Sequence, residues 1–295
     1  MDPSELEDRI FERLMVPRID SAMHLDSLGD ELPVRAAELA AVGLDTNVLK
    51  QLRRDVYRAD NLLVRLAGAN VRIIVPKQVV VEFWNNHRVF AKEDWNQLSN
   101  ALRSLKGKLD SVQGSGDYAV QIANIESIID AIAGDLAETQ SDEYLSKSKR
   151  LIESLLPGAV TPMVSRGRFG ALAQVRQSSK FPPGFADDAR KVASWGDIFV
   201  WLDFLLGVLF VKDDTLGGRY LWVTQEAKED WKTGSRGHPS LLEEFAWISE
   251  EKLSIVTLEE LEALLEAEDV ALLEKDPEDD STDDALKAVD SPFAG

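Results

Sequence analysis

The chain contains no cysteine among its 295 residues, which removes disulfides, thiolate zinc sites and cysteine nucleophiles in one step. It has only three histidines, His24, His87 and His238, and their scatter gives neither a Ser/His/Asp arrangement nor a paired-histidine metal spacing. There is no P-loop and no dinucleotide glycine motif. The first residues, Met-Asp-Pro-Ser-Glu-Leu-Glu-Asp, are acidic and lack the apolar core of a signal peptide. The apolar run from Ile198 to Val211 spans 14 residues and is interrupted by Asp203. It is too short to cross a bilayer and is expected to be a buried helix. The expectation is a soluble, cytoplasmic protein without a membrane partner.

Basic charge is also scarce, since 33 Lys and Arg stand against 52 Asp and Glu for a net charge of −19. That excludes a generic basic nucleic-acid coat. The excess is local, however. From Glu259 to Gly295 there are 14 acidic and 2 basic residues, so most of the charge belongs to the last segment. Between Arg166 and Lys191 the balance reverses, with Arg166, Arg168, Arg176, Lys180, Arg190 and Lys191 against two aspartates. Such a patch can hold a phosphate backbone on an acidic protein.

What is present is alternation. Ser4 and Glu7 have capping-box spacing before an apolar stripe (Leu6, Ile10, Phe11, Leu14), which predicts a short amphipathic helix to Met15. It either packs on its own domain or docks a partner. Ala41 to Asp45 reads as a buried strand, 48–66 as a helix, and Val71 to Val75 as a second strand stopped by Pro76. A helix containing Glu82 follows. Such βαβα order predicts a parallel sheet covered by helices. From Ala91 to Val112 and from Tyr118 to Leu136, apolar residues recur at alternating spacings of four and three around Gly114-Ser-Gly116. That predicts an antiparallel helical hairpin with arms of roughly 30–40 Å, followed by a third helix over 142–156. The stretch from Pro157 to Asp188 shows little periodicity and is expected to be irregular. The α/β pattern then resumes, with a buried helix after Trp195-Gly-Asp197, strands at 219–224 and 253–257, and helices at 239–249 and 258–265. Beyond Lys275 the composition predicts disorder.

Four acids fall at informative places. Asp45 ends the first strand, Glu82 lies in the first turns of the next helix, Asp197 opens the buried helix, and Glu226 follows the strand ending at Thr224. Singly, each has an ordinary explanation as a helix cap, a surface residue or a turn acid. Jointly they belong near the carboxyl edge of one sheet, where α/β proteins bind ligands. Clustered carboxylates repel unless a cation joins them, and hard oxygen ligands favour Mg²⁺ or Mn²⁺ over zinc. Asp203, six residues past Asp197, is about 240° round the helix and is expected to point elsewhere. Trp195 and Trp231 flank the acids, with packing preferred over stacking on a base.

Leu44-Asp-Thr-Asn-Val-Leu49, Ile74-Val-Pro-Lys-Gln-Val-Val-Val-Glu-Phe83, Pro182-Pro-Gly-Phe185 with Asp187, Trp195-Gly-Asp-Ile-Phe-Val-Trp201 and Trp222-Val-Thr-Gln-Glu-Ala-Lys-Glu-Asp-Trp231 occur in that order. Together they resemble the large bacterial PIN-like domain family over about residues 41 to 265, with the helical insertion where that family carries one. The resemblance implies a three-layer α/β/α sandwich on a central parallel sheet. It divides the chain into an N-terminal helix and linker (1–35), a nuclease domain in two pieces (36–88 and 181–268), the hairpin insertion (89–156), an irregular basic segment (157–180) and a disordered acidic tail (269–295).

By position, Asp45, Glu82 and Asp197 match the family's metal-ligand carboxylates, and Glu226 takes the fourth acid position, one methylene longer than the usual aspartate. Asn47 and Thr224 match bracing residues, while Lys228, Asp230 and Trp231 match the closing signature. Arg88, Arg190 and Lys191 are candidates for contacting substrate. The activity implied is Mg²⁺- or Mn²⁺-dependent endoribonuclease hydrolysis of two-metal type, leaving 5′-phosphate and 3′-hydroxyl ends. The family also suggests a toxin or phage-defence effector, checked by an antitoxin-like or ATPase partner. The hairpin is expected to act as a clamp, a dimer arm or a docking platform. Two alternatives stay open: a DNA nuclease with the same site, and a catalytically weak scaffold acting through the hairpin. A dehalogenase-type phosphatase is excluded, because Asn47 stands where its second aspartate is required.

Overall fold

The computed structural model describes residues 2–15, 35–112, 119–185, 195–212, 218–225, 228–234 and 236–274. Its strands are β1 (Leu39–Leu44), β2 (Arg72–Ile74), β3 (Ala159–Val160), β4 (Arg219–Val223), β5 (Lys232–Thr233), β6 (Arg236–Gly237) and β7 (Lys252–Val256). Its helices are α1 (Pro3–Met15), α2 (Thr46–Arg54), α3 (Val56–Gly68), α4 (Lys77–Val112), α5 (Ala119–Leu155), α6 (Arg166–Ser178), α7 (Gly196–Lys212), α8 (Pro239–Ser249) and α9 (Leu258–Glu274). Five strands form one sheet in the order β3-β2-β1-β4-β7, and every pairing in it is parallel. With helices on both faces this is the three-layer α/β/α architecture expected of the PIN-like fold.

The order decides where a ligand can sit. The chain builds outward from β1 through β2 to β3, then returns to the other side of β1 for β4 and β7. The connections diverge between β1 and β4, and a crevice opens at the carboxyl ends of those two strands. Asp45 and Thr224 are the residues immediately beyond them.

Helix α7 and strand β4 approach the middle of β1 closely at Gly43. All six residues of Leu39-Ala-Ala-Val-Gly-Leu44 are buried. A Cβ on Gly43 would stand 2.5 Å from Phe204 Cε2 and 2.6 Å from Trp222 Cε3, so glycine is what admits both rings. Helix α7 is buried over Ile198–Leu209 and again at Val211, which follows from an apolar run with no polar face. It packs on β1 and β2, and α1, α4 and α8 pack on it. The amphipathic α1 lies on its own chain. Leu6 and Ile10 enter the core, and Arg9 and Arg13 donate to the carbonyls of Ile248 and Trp247 at the end of α8.

Several expected boundaries change. The first helix of the α/β unit breaks at Asp55, which closes α2 and caps α3 by accepting from the Arg58 N–H at 3.0 Å. The Glu82 helix and the first hairpin arm are one continuous helix, α4. The second arm likewise absorbs the expected third helix to form α5, of 37 residues. At 1.5 Å per residue both span roughly 55 Å. No proline interrupts either, and the apparent shift of stripe is the drift of a 3.6-residue helix against a 3.5-residue seam. The 157–180 segment is not irregular: it holds β3 and α6. Arginines and glycines mask the stripe of α6, where Phe169, Ala173 and Arg176 are the buried positions. At the other end α9 continues to Glu274, so 269–274 is helical. The hairpin turn and residues 275–295 lie outside the described residues.

Candidate active site

Asp45 is held before it can do anything else. It caps α2, its Oδ1 accepting from the Thr46 N–H at 2.6 Å. Its Oδ2 accepts from the Thr224 hydroxyl, also at 2.6 Å, across the switch point. Asn47 Nδ2 donates to the same Thr224 oxygen at 3.1 Å, and Asn47 Oδ1 accepts from the Gln225 N–H at 3.0 Å. Asn47 and Thr224 thereby tie the residues beyond the ends of β1 and β4 together.

Thr46 connects this pair to Glu82. Its hydroxyl donates to Glu82 Oε2 at 3.1 Å, and Gln78, one turn earlier on α4, donates from Nε2 to Oε1 at 3.0 Å. Glu82 in turn meets the start of α7. A Cβ built on Gly196 would lie 2.5 Å from Glu82 Oε1, so the Gly-Asp step clears room for the neighbouring carboxylate. Asp197 follows in the first turn of α7. Lys228 sets Nζ 3.5 Å from Asp197 Oδ2, both side chains being partly exposed.

Asp230 acts on the loop in front of this edge. It is fully buried, and its Oδ2 accepts from the Gly184 N–H at 2.8 Å. Gly184 has φ +101, a backbone that strains any residue with a Cβ. It lies against α7, where its Cβ would be 3.0 Å from Ile198 Cγ1 and 3.8 Å from Asp197 Cβ. The Pro-Pro-Gly turn is thus pinned beneath Asp197. Trp231 is core: it stacks on Trp222 with centroids 5.6 Å apart and meets Trp201 edge-on. Trp195 donates to Gln177 Oε1 at 2.9 Å and packs beside Phe199.

The basic segment does something other than expected. Arg166 makes a two-pronged pair with buried Asp203 at 2.7 and 2.8 Å, and Arg168 pairs with Asp8. Arg176 is buried and donates to both oxygens of Glu244 at 2.8 Å. These arginines serve the chain's own acids, because α6 faces the core and its guanidinium groups must be paired where they enter it. Burial pushes the Asp203 carboxyl up from its ordinary value, against the pull of Arg166 and the N–H groups of Val164 and Gln78. Asp203 is bonded instead to the Arg166 guanidinium and to the N–H groups of Val164 and Gln78. Arg88 is exposed on α4, six residues past Glu82 and so on a different face of the helix. Glu226, Arg190 and Lys191, expected in the site, lie outside the described residues, as do Asp187 and His24. His87 Nδ1 contacts the Trp84 carbonyl, and His238 caps α8.

Thr46 and Gln78 are not among the site residues expected from sequence, although Gln78 stands four residues before Glu82 on one helix. Gly196 is visible in sequence as the glycine of the Gly-Asp step, and the structure adds the carboxylate that it clears.

An acid-bearing crevice at the switch point of a parallel sheet defines an α/β protein that takes its ligand at the carboxyl edge. The chain belongs to the PIN-like domain family: the model described as PIN like domain matches residues 41–243. PIN-like domains are generally nucleases, and PIN-like nucleases usually use divalent metals. No curated protein and no solved structure matches the chain. Among the described residues no helix is long and apolar enough to cross a membrane.

The residues fit a divalent ion in the chemistry of their donors. Among the described residues no three acidic or histidine side chains converge closely enough to hold an ion by themselves. Mg²⁺, however, keeps several waters and is commonly held by one or two carboxylates. Asp45 and Glu82 flank Thr46 and supply hard oxygen donors of that type.

Proposed function

We propose that this chain is a metal-dependent endoribonuclease whose Asp45, Glu82 and Asp197, with Glu226, hold Mg²⁺ or Mn²⁺ in the switch-point crevice. One observation carries the reading: Asp45, Thr46, Glu82 and Gly196 form a connected series, with glycine at the one place where a side chain would strike the Glu82 carboxylate. The bound ion supplies an activated water and neutralises charge on the phosphoryl oxygens. The chain's own contribution is orientation. Thr46 and Thr224 hold Asp45 at both oxygens, Asn47 fixes Thr224, and Lys228 offers a cation to a phosphate oxygen beside Asp197. Arg190 and Lys191 are assigned to the nucleic-acid backbone.

RNA is favoured over DNA as substrate, and control by an antitoxin-like or ATPase partner in phage defence accompanies that choice. Docking through the hairpin is favoured by Val120, Ile125 and Ile128, which are 71%, 40% and 58% exposed on α5. The test is cleavage of labelled RNA and single-stranded DNA in Mn²⁺ and in EDTA, beside Asp45→Asn and Asp197→Asn. Mn²⁺-dependent RNA cleavage abolished by both substitutions is the expected result. Cleavage that survives them sinks the site. Cleavage of DNA alone moves the reading to a DNA nuclease, and none from metal-replete protein favours the scaffold.

A further inference from the structure

We infer that Gln78 and Arg166, anchored by Asp203, are positioning residues that hold the Glu82 carboxylate in the crevice and thereby set the affinity for the divalent ion. The inference rests on the nuclease reading for its ligand, and on separate geometry for its residues.

Asp203 is buried in α7 and gathers four donors. Its Oδ1 accepts from the Val164 N–H at 2.8 Å and from Arg166 Nη1 at 2.7 Å, and its Oδ2 from the Gln78 N–H at 3.1 Å and Arg166 Nη2 at 2.8 Å. The Arg166 guanidinium also lies over the Phe199 ring, 4.3 Å from its centroid, so its plane is fixed by charge and by stacking. From there Nη2 reaches Gln78 Oε1, at a longer 3.4 Å. Gln78 Nε2 then donates to Glu82 Oε1 at 3.0 Å, and Thr46 donates to the other oxygen.

An amide has one accepting end and one donating end. If Gln78 turned over, its NH₂ would face a guanidinium and its carbonyl a carboxylate, both repulsive. Arg166 on one side and Glu82 on the other therefore permit one orientation. The same Asp203 carboxylate receives the backbone N–H of Gln78, so the residue is held at main chain and side chain by one ion pair. Thr46 and Gln78, both neutral donors, orient the two oxygens of Glu82. Partners of this kind typically change metal affinity about 10–100-fold when removed.

The substitution Gln78→Met keeps length and helix compatibility at a half-buried position while deleting donor and acceptor. Arg166→Lys keeps a cation against Asp203 and loses the fork. Native and variant proteins are compared by Mn²⁺ calorimetry, by crystal structures without metal, and by KM for RNA. Thermal melts identify any variant that fails to fold. The expected result is that Gln78→Met weakens Mn²⁺ binding about tenfold or more and releases the Glu82 carboxylate from Thr46. Arg166→Lys should weaken Mn²⁺ binding in the same direction with KM unchanged. Native Mn²⁺ affinity in Gln78→Met with Glu82 still in place overturns the proposal. So does Arg166→Lys raising KM alone, since Arg166 would then be a substrate contact. A native chain that binds no Mn²⁺ overturns the metal reading and the affinity claim, while the position of Glu82 without metal separately decides whether the relay holds it.

Discussion

Gly196→Ala separates function from stability at this site. The added Cβ would lie 2.5 Å from Glu82 Oε1, where ordinary contact begins near 3.4 Å, so the carboxylate must retreat by about 0.9 Å. The obstacle is the far end of a flexible side chain, which can swing away. Doing so costs its bonds from Thr46 and Gln78, about 0.5–1.5 kcal/mol each. Alanine at the head of α7 returns up to roughly 1 kcal/mol of helix preference. The net change is therefore about 2 kcal/mol or less, a shift of a few degrees in Tm. Catalysis has no such tolerance, because a displacement of about 1 Å can cost on the order of 100-fold.

Gly43→Ala is the control, with nearly the same overlap in the opposite setting. Its Cβ would meet Phe204 and Trp222 at 2.5–2.6 Å, and both rings are fully buried. Overpacking of that kind costs about 1–3 kcal/mol or more, and activity should fall only as folded protein is lost. Melting curves and Mn²⁺-dependent RNA cleavage are measured on both variants. Gly196→Ala with native activity would refute the placement of Glu82. Gly196→Ala melting more than ten degrees low would refute the view that its neighbour can move.

Two further outcomes follow from buried charge. Arg176→Met leaves Glu244 buried with Trp201 Nε1 as a donor at 2.6 Å, and should destabilise by about 3–5 kcal/mol. The double variant Arg176→Met, Glu244→Gln should regain much of that in denaturant titrations, whereas no recovery would mean that Arg176 matters through packing. His238 is held below its ordinary pKa, first by burial, with Asp230 pulling the other way. Its Nδ1 accepts the Ser240 N–H at 3.2 Å and must be unprotonated to do so. The unfolded chain then binds the proton more readily, so this contribution is full above the ordinary histidine range and is lost as pH falls through the folded value. Unfolding at pH 7.5 and pH 5 should show a larger acid loss for the native chain than for His238→Asn, which keeps a capping acceptor. Equal losses would remove His238 from the account.

Much of the fold was legible because burial writes itself into local pattern. The parallel α/β order follows from short apolar strands alternating with amphipathic helices, and α7 from an apolar run too short for a bilayer. Helix boundaries inside 142–156 and at α6 were missed for one reason: periodicity fades where a helix drifts against its partner or buries arginines in ion pairs. The acids at 45, 82 and 197 could be named because each sits at a strand end or a helix start, and a parallel sheet delivers all such ends to one edge. Helical phase separates Asp203 from Asp197 on α7 but gives no sign of its bonds to Gln78 and Arg166.

By itself the sequence placed Asp45, Glu82 and Asp197 at a strand end and at helix starts, and tertiary structure alone decided what holds them. Thr46, Gln78 and Arg166 lie 36, 4 and 84 residues from Glu82 along the chain, and only the packing of α2, α4, α6 and α7 brings them into one hydrogen-bonded series. The arginines of α6 make the same point in reverse. Composition marks them as a phosphate patch, yet charge is satisfied by whatever lies nearest in space, and here that is Asp203, Asp8 and Glu244.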